Sequence, residues 1–279
     1  MEQSSKLSNP LWDDALVLVG KTFLWGSVLF WVTYILAPVF VTIVSSFTSA
    51  EFLTFPPKGF SLRWYYRVME IQWFLSSLKV SLIVALFSTA IAATLGVMAA
   101  RILARHKFGG KPIFEYVVIS PLIIPGVVFG FAFFNILVQL GFEGWSYLNL
   151  IVAHSAVTLP LMLRSVWSSM AGTELSLEEA AQSLGATPWV TFWKVTFPLI
   201  LPGIAAGGII AFTFSFNDLT VAVWLVGAET QTLPVQLMSQ IEYTPDASPA
   251  AITSIIIFFT IIIFFVIDRT IGMDVFAQR

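Results

Sequence analysis

The chain has no cysteine and very little charge. Of its 279 residues, 11% are charged and 57% are hydrophobic, and its mean hydropathy is +0.87. Without cysteine, disulfides and thiolate metal sites are excluded. A soluble domain is about 25% charged, so this composition excludes a soluble enzyme and defines a polytopic membrane protein. Only two histidines occur, His106 and His154, far apart in sequence. No Ser-His-Asp constellation and no H-E-x-x-H pattern is present. Gly20-Lys21-Thr22 ends a P-loop pattern by accident, because the first glycine of that pattern would fall on Ala15. The chain is therefore read as a non-enzyme without an ATP site, a metal site or a cofactor of its own.

What the chain does have is long apolar runs. A helix needs about 20 apolar residues to cross the hydrocarbon core. Six stretches qualify: Thr22–Ser46, Ser76–Ala100, Ile113–Ile136, Leu148–Leu163, Phe197–Phe216 and Ala250–Ile267. The expectation is an all-α integral membrane protein with a six-helix domain over 22–269 and short tails, 1–21 and 270–279. The third and fourth stretches contain Pro121, Pro125 and Pro160, which spans tolerate where neighbouring helices satisfy the freed carbonyls. Leu11–Val19, which mixes Trp12 and Leu16 with Asp13 and Asp14, reads either as an interfacial helix or as a polar tail. No cleavable signal is expected, because the first apolar run is too long for one and no basic cluster precedes it.

The basic residues set the orientation. One set of loops holds Lys6, Lys21, Arg101, Arg105, Lys107, Lys111, Arg164, Lys194, Arg269 and Arg279, and the other holds Lys58, Arg63, Arg67 and Lys79. That bias of ten to four predicts both termini in the cytoplasm, and with them the loop Ser165–Thr196.

That loop holds the most informative motif. Ser176 and Glu179 have the S-x-x-E spacing of a capping box, and Gly185 suits a left-handed C-terminal stop. Leu177, Ala180, Ala181 and Leu184 fall at helical spacing on one face, kept flat by the two alanines. Glu178 is left to point elsewhere. Thr187 can cap a second helix with Pro188 in its first turn, which predicts a helix–turn–helix along the membrane surface before the fifth span.

Glu179-Ala180-Ala181, then Gly185, then Pro198 resemble the E-A-A, three residues, G, nine residues, I-x-L-P signature of permease subunits of binding-protein-dependent ATP-binding-cassette (ABC) importers. Val195 and Phe197 stand where that signature prefers Ile and Leu. The resemblance extends to the six spans and the loop position. It implies the type I importer permease fold, with a cytoplasmic coupling helix over about 176–185, between the fourth and fifth spans. It also implies an ATPase subunit in two copies, supplying ATP and Mg, and a second, non-identical permease subunit. A periplasmic solute-binding protein and a bacterial inner-membrane location complete the picture, with lipid around the spans and no nucleic acid. Ser176, Glu178, Glu179, Ala180, Ala181, Leu184 and Gly185 would then form the ATPase-coupling site.

Five segments are similar to permeases of the spermidine/putrescine type. They are Ser46-Phe47-Thr48, Phe60-Ser61-Leu62-Arg63-Trp64-Tyr65, Ser215-Phe216-Asn217-Asp218, Thr232-Leu233-Pro234-Val235 and Ile241-Glu242-Tyr243. This implies a polyamine cargo, with another amine, an amino-acid derivative or ferric ion as alternatives. Asn217 stands where polyamine members tend to show an acid.

Ionisable groups inside spans mark pathways or structural bonds. Asp218 and Asn217, at the outer end of the fifth span, either line the path or terminate a helix. His154 either faces the path or bonds to a neighbouring helix. Glu242 and Asp246, in an acidic final loop with a short helix ending near Tyr243, are candidates for touching the binding protein. A secondary transporter or channel, and an assembly factor without transport, are the competing functions. The first would need intramembrane charges that this chain almost lacks.

Overall fold

The computed structural model describes residues 10–243 and 246–271. Lys6 and Arg279, from the expected tails, lie outside the described residues. Twelve α-helices follow one another: α1 (Pro10–Ser45), α2 (Arg63–Glu70), α3 (Gln72–Arg105), α4 (Lys111–Ile123), α5 (Gly126–Leu140), α6 (Ser146–Ala171), α7 (Leu175–Ser183), α8 (Pro188–Thr191), α9 (Phe197–Asn217), α10 (Ala222–Leu225), α11 (Leu233–Tyr243) and α12 (Ser248–Ile271), with a π turn over Phe192–Thr196.

Four runs among the described residues are long and apolar enough to cross a membrane: Val17–Ser45, Gln72–Arg105, Ser146–Ala171 and Pro188–Asn217. The third expected span is not one straight helix. It is α4 and α5, bent by 103°, and the pair adds a fifth crossing when counted together. The cause is local: Ile124 precedes Pro125 and adopts an extended backbone, φ −70° and ψ 132°, as residues before proline do. The sixth expected span falls within α12, whose described apolar stretch is Ser248–Ile262. The first helix starts at Pro10, so residues 10–21 are helical and run without a break into the apolar stretch Val17–Ser45. Likewise, Pro188–Thr191 is no separate surface helix but runs through the π turn into α9.

The chain divides into two units. In the first, residues 1–68 and 246–258, the segment after α1 folds back on itself. Thr48 and Phe60 form an isolated antiparallel bridge, and Ser61 N–H donates to Phe47 O at 2.7 Å. The Ser46 and Tyr65 hydroxyls share a 2.6 Å hydrogen bond, and Trp64 Nε1–H donates to Ala50 O.

In the second unit, residues 69–245 and 259–279, α3, α6 and α9 form the core. Small residues permit the close approach, as in other helix interfaces within lipid. A Cβ on Gly96 would lie 2.7 Å from Met162 Cγ, and one on Gly207 would lie 2.8 Å from Met162 Sδ. Met162 is thus a wedge from α6 between the glycines of α3 and α9. Ser165 Oγ–H donates to Gly203 O at 2.8 Å, and Ser88 Oγ–H donates to Ile151 O at 3.1 Å. These bonds satisfy hydroxyls that lipid would leave unpaired. A layer of Leu103, Leu163, Val166, Met170 and Ile200 closes the end of the core near the α6–α7 loop.

Candidate functional site

The loop between α6 and α9 supplies the site, and its local folding differs in part from the sequence expectation. No capping box forms. α7 begins at Leu175 with Glu174 at its N-cap, and Ser176 Oγ–H donates to Glu174 Oε2 at 3.0 Å instead of capping. The expected stop is present: Gly185 has φ +91°. Its N–H donates to Gln182 O and that of Ala186 to Ala181 O, the paired bonds of a Schellman turn. Thr187 Oγ1 accepts from Val190 N–H at 3.3 Å, with Pro188 following. Both ends of the turn are therefore fixed by chemistry written in the sequence.

Glu178 is the residue for which sequence reasoning assigned the wrong environment. It does not point freely away. It is the buried residue of α7, and its Oε1 accepts from Arg105 Nε–H at 2.9 Å, with Arg105 Nη2 also 2.9 Å away. The same Nη2 donates to Thr173 Oγ1 at 2.8 Å. Arg105 closes the last turn of α3, so this pair ties the loop helix to the core helix that carries Arg105. A charge-assisted, two-nitrogen contact of this kind fixes orientation as well as distance. The sequence signal was available: an acid inside a short apolar-faced helix, and a basic residue at the end of a span.

Glu179, Ala180, Leu177 and Leu184 are exposed and Ala181 is half-buried. Leu184 is 89% exposed. α7 therefore uses Glu178 to hold on to its own chain and turns its apolar side chains outward, a patch that calls for a partner.

A second polar cluster lies at the far end of α9. His154 on α6 is fully buried, and its Nδ1 shares a 2.8 Å hydrogen bond with Ser215 Oγ on α9. This is the helix-bonding alternative of the two open for His154. Asp218 is also buried, and Oδ2 accepts from the N–H groups of Val221 (3.0 Å) and Ala222 (3.1 Å) while Oδ1 accepts from Thr220 Oγ1–H. Asp218 thus terminates α9 and starts α10. Its Oδ2 lies 3.7 Å from His154 Nε2, a proximity the sequence did not disclose. Asn217 is exposed, and its Nδ2–H donates to Thr213 O.

The two acids expected to meet a binding protein differ. Glu242 is exposed near the end of α11. Asp246 accepts from Ser248 N–H and Oγ–H and so caps α12. Among the described residues, no group of three or more His, Asp or Glu is placed to hold a metal ion.

Several apolar crossings, a core of three of them packed on small residues, and an outward-facing helix held in one loop define a polytopic helical permease-like membrane protein. Residues 92–273 match the family described as "Binding-protein-dependent transport system inner membrane component", and the chain belongs to that family. PotI of Escherichia coli strain K12, a putrescine transport system permease protein, is 30% identical over 252 residues, covering 88% of this chain and 85% of PotI. PotC of the same strain, a spermidine/putrescine transport system permease protein, is 29% identical over 249 residues, covering 88% and 92%. ModB of Haemophilus influenzae, a molybdenum transport system permease protein, is 32% identical over 188 residues, covering 62% and 82%. In fold, the chain is similar to a bacterial ABC transporter involved in the import of the acidic polysaccharide alginate, with a TM-score of 0.70 at 19% identity over 97% of this chain and 99% of that one. The chain is thus a permease subunit of a bacterial ABC importer, a multi-pass membrane protein with the type I importer fold.

Proposed function

We propose that this permease forms half of the pathway for a polyamine, such as spermidine or putrescine, delivered by a periplasmic binding protein. A second, non-identical permease subunit forms the other half. Two copies of a separate ATPase subunit bind ATP and Mg and drive the cycle from the cytoplasm. α7 is the coupling helix: it seats in the ATPase and passes its motion to α3 through Arg105 and Glu178. Both termini lie on the cytoplasmic side with α7. The likeness to PotI and PotC over most of the chain supports the polyamine reading. The likeness of an alginate importer, also solved with a periplasmic protein bound, supports a binding-protein partner.

The observation that carries the coupling role is the division of labour on α7, with Glu178 buried against Arg105 and Leu177, Ala180 and Leu184 facing out. The test is co-purification of the ATPase and uptake of labelled putrescine with and without Glu179→Arg. Loss of both is expected. Full retention of both in the variant rejects α7 as the coupling site. Uptake of an amino-acid derivative, another amine or ferric ion in place of polyamine corrects the cargo alone. Uptake that follows an ion gradient without ATP returns the secondary-transporter reading.

A further inference from the structure

A cavity of about 460 Å³ opens between the last turns of α3 and the π turn that leads into α9. Val97, Met98, Phe197 and Ile204 are among its walls, and no carboxylate among the described residues lines it. Trp189 and Trp193 stand at its mouth, 71% and 46% exposed. Among the described residues the single charged one in the lining is Arg101, whose guanidinium lies 4.9 Å from the centre of the Phe192 ring. Arg101 sits one turn before Arg105 on α3 yet differs from it in kind: Arg105 is spent on Glu178, whereas the described contact of Arg101 is the Phe192 face. A half-buried guanidinium resting on an aromatic ring keeps its in-plane donors available.

The π turn builds this arrangement. Its wider winding, closed by Phe197 N–H donating to Phe192 O, brings Trp189, Phe192, Trp193 and Phe197 into one aromatic cluster, with neighbouring rings 4.9 to 5.6 Å apart along the chain Trp189–Trp193–Phe197. Single π turns recur at functional positions in helices. Tryptophan favours the membrane–water boundary, and basic pockets between spans at that level suit anionic lipid headgroups.

We infer that this groove binds an anionic phospholipid, with Arg101 on the phosphate, Trp189 and Trp193 at headgroup level and an acyl chain along Val97, Met98 and Ile204. The occupant follows from charge complementarity: one cation without a carboxylate partner among the described residues, over walls that are otherwise almost entirely apolar. The site needs neither a particular leaflet nor a particular cargo, so it stands apart from the function proposed above.

The test is native mass spectrometry of the assembled transporter, titrated with phosphatidylglycerol or with phosphatidylcholine of the same acyl chains. Subunits and bound lipids are counted in one spectrum, so failure of assembly and failure of lipid binding are read separately. Phosphatidylglycerol should bind at least about tenfold more tightly at one site. Arg101→Gln should remove that preference, and Val97→Trp, which fills the groove, should remove the bound lipid, both with the subunit composition unchanged. Equal retention of the two lipids, or undiminished preference in Arg101→Gln, overturns the proposal. So does a Met98→Cys variant that cross-links to another subunit, because protein then covers the groove.

Discussion

Arg105 and Glu178 are 73 residues apart in the chain and 2.9 Å apart in space, with side chains 12% and 7% exposed. This pair is a charged contact that fastens α7 to the end of α3. Removing one partner of a buried ion pair strands the other charge and costs about 3 kcal/mol at the low end of the usual range. Glu178→Ala should therefore raise amide hydrogen exchange across α7 about a hundredfold, at about 1.4 kcal/mol per factor of ten. Replacing both residues with methionine should recover most of that protection, because no charge is left unpaired. Uptake should stay low in Glu178→Ala and recover less fully than protection in the double variant, since apolar packing lacks the directional fork of the guanidinium. Unchanged exchange in Glu178→Ala would show that the pair does not anchor the helix.

Leu184 poses the opposite case. It follows α7 just before Gly185 and is almost fully exposed, so nothing among the described residues packs on its side chain to any extent. Leu184→Asp should leave the thermal melting of the isolated permease where it is and abolish co-purification of the ATPase. A drop in melting temperature of the isolated subunit would mean that the leucine packs at home and that the patch is no docking face.

Much of this site could be read in the residues, and the unread part has a physical cause. Gly185, Thr187 and Pro188 act through backbone conformation within a few residues, so spacing alone predicts the turn that is observed. The capping box depended on where α7 starts. A start at Leu175, two residues earlier than the capping box required, placed Glu174 at the cap and put Ser176 beyond reach of its expected partner. The Arg105–Glu178 and His154–Asp218 proximities join residues on different helices, and no local pattern encodes such distances. The α4–α5 bend was foreshadowed by Pro125, but hydropathy sees only the apolar run and not its direction.

The wedge at Met162 makes a stability prediction. Gly96 and Gly207 face it from two different helices, each with less than 3.0 Å for an added carbon. Gly207→Leu should force α6 and α9 apart, at about 1–3 kcal/mol for overpacking. Met162→Ala should relieve the crowding at the cost of a cavity, so the double variant should melt higher than the sum of the two single effects implies. Strict additivity in the melting temperatures would indicate that the three residues do not share one packing site.

Asp218 and its neighbour Asn217 separate a structural from a pathway role at the C-terminal end of α9. Asp218 accepts from two backbone N–H groups and one hydroxyl, so Asp218→Ala should lose about 1–2 kcal/mol, as for other helix-start caps. Asn keeps a carbonyl oxygen for those donors, and Asp218→Asn should lose less than half as much. If the cap is what matters, uptake should track stability: low in the alanine variant, near normal in the asparagine variant. A carboxylate that meets a cationic cargo behaves differently, because asparagine removes the charge and keeps the shape. Uptake that falls equally in both variants while Asp218→Asn keeps its melting temperature would therefore put the carboxylate in the path. Exposed Asn217 supplies the control: Asn217→Cys should react with a membrane-impermeant maleimide at the periplasmic face, and Asp218→Cys should react far more slowly.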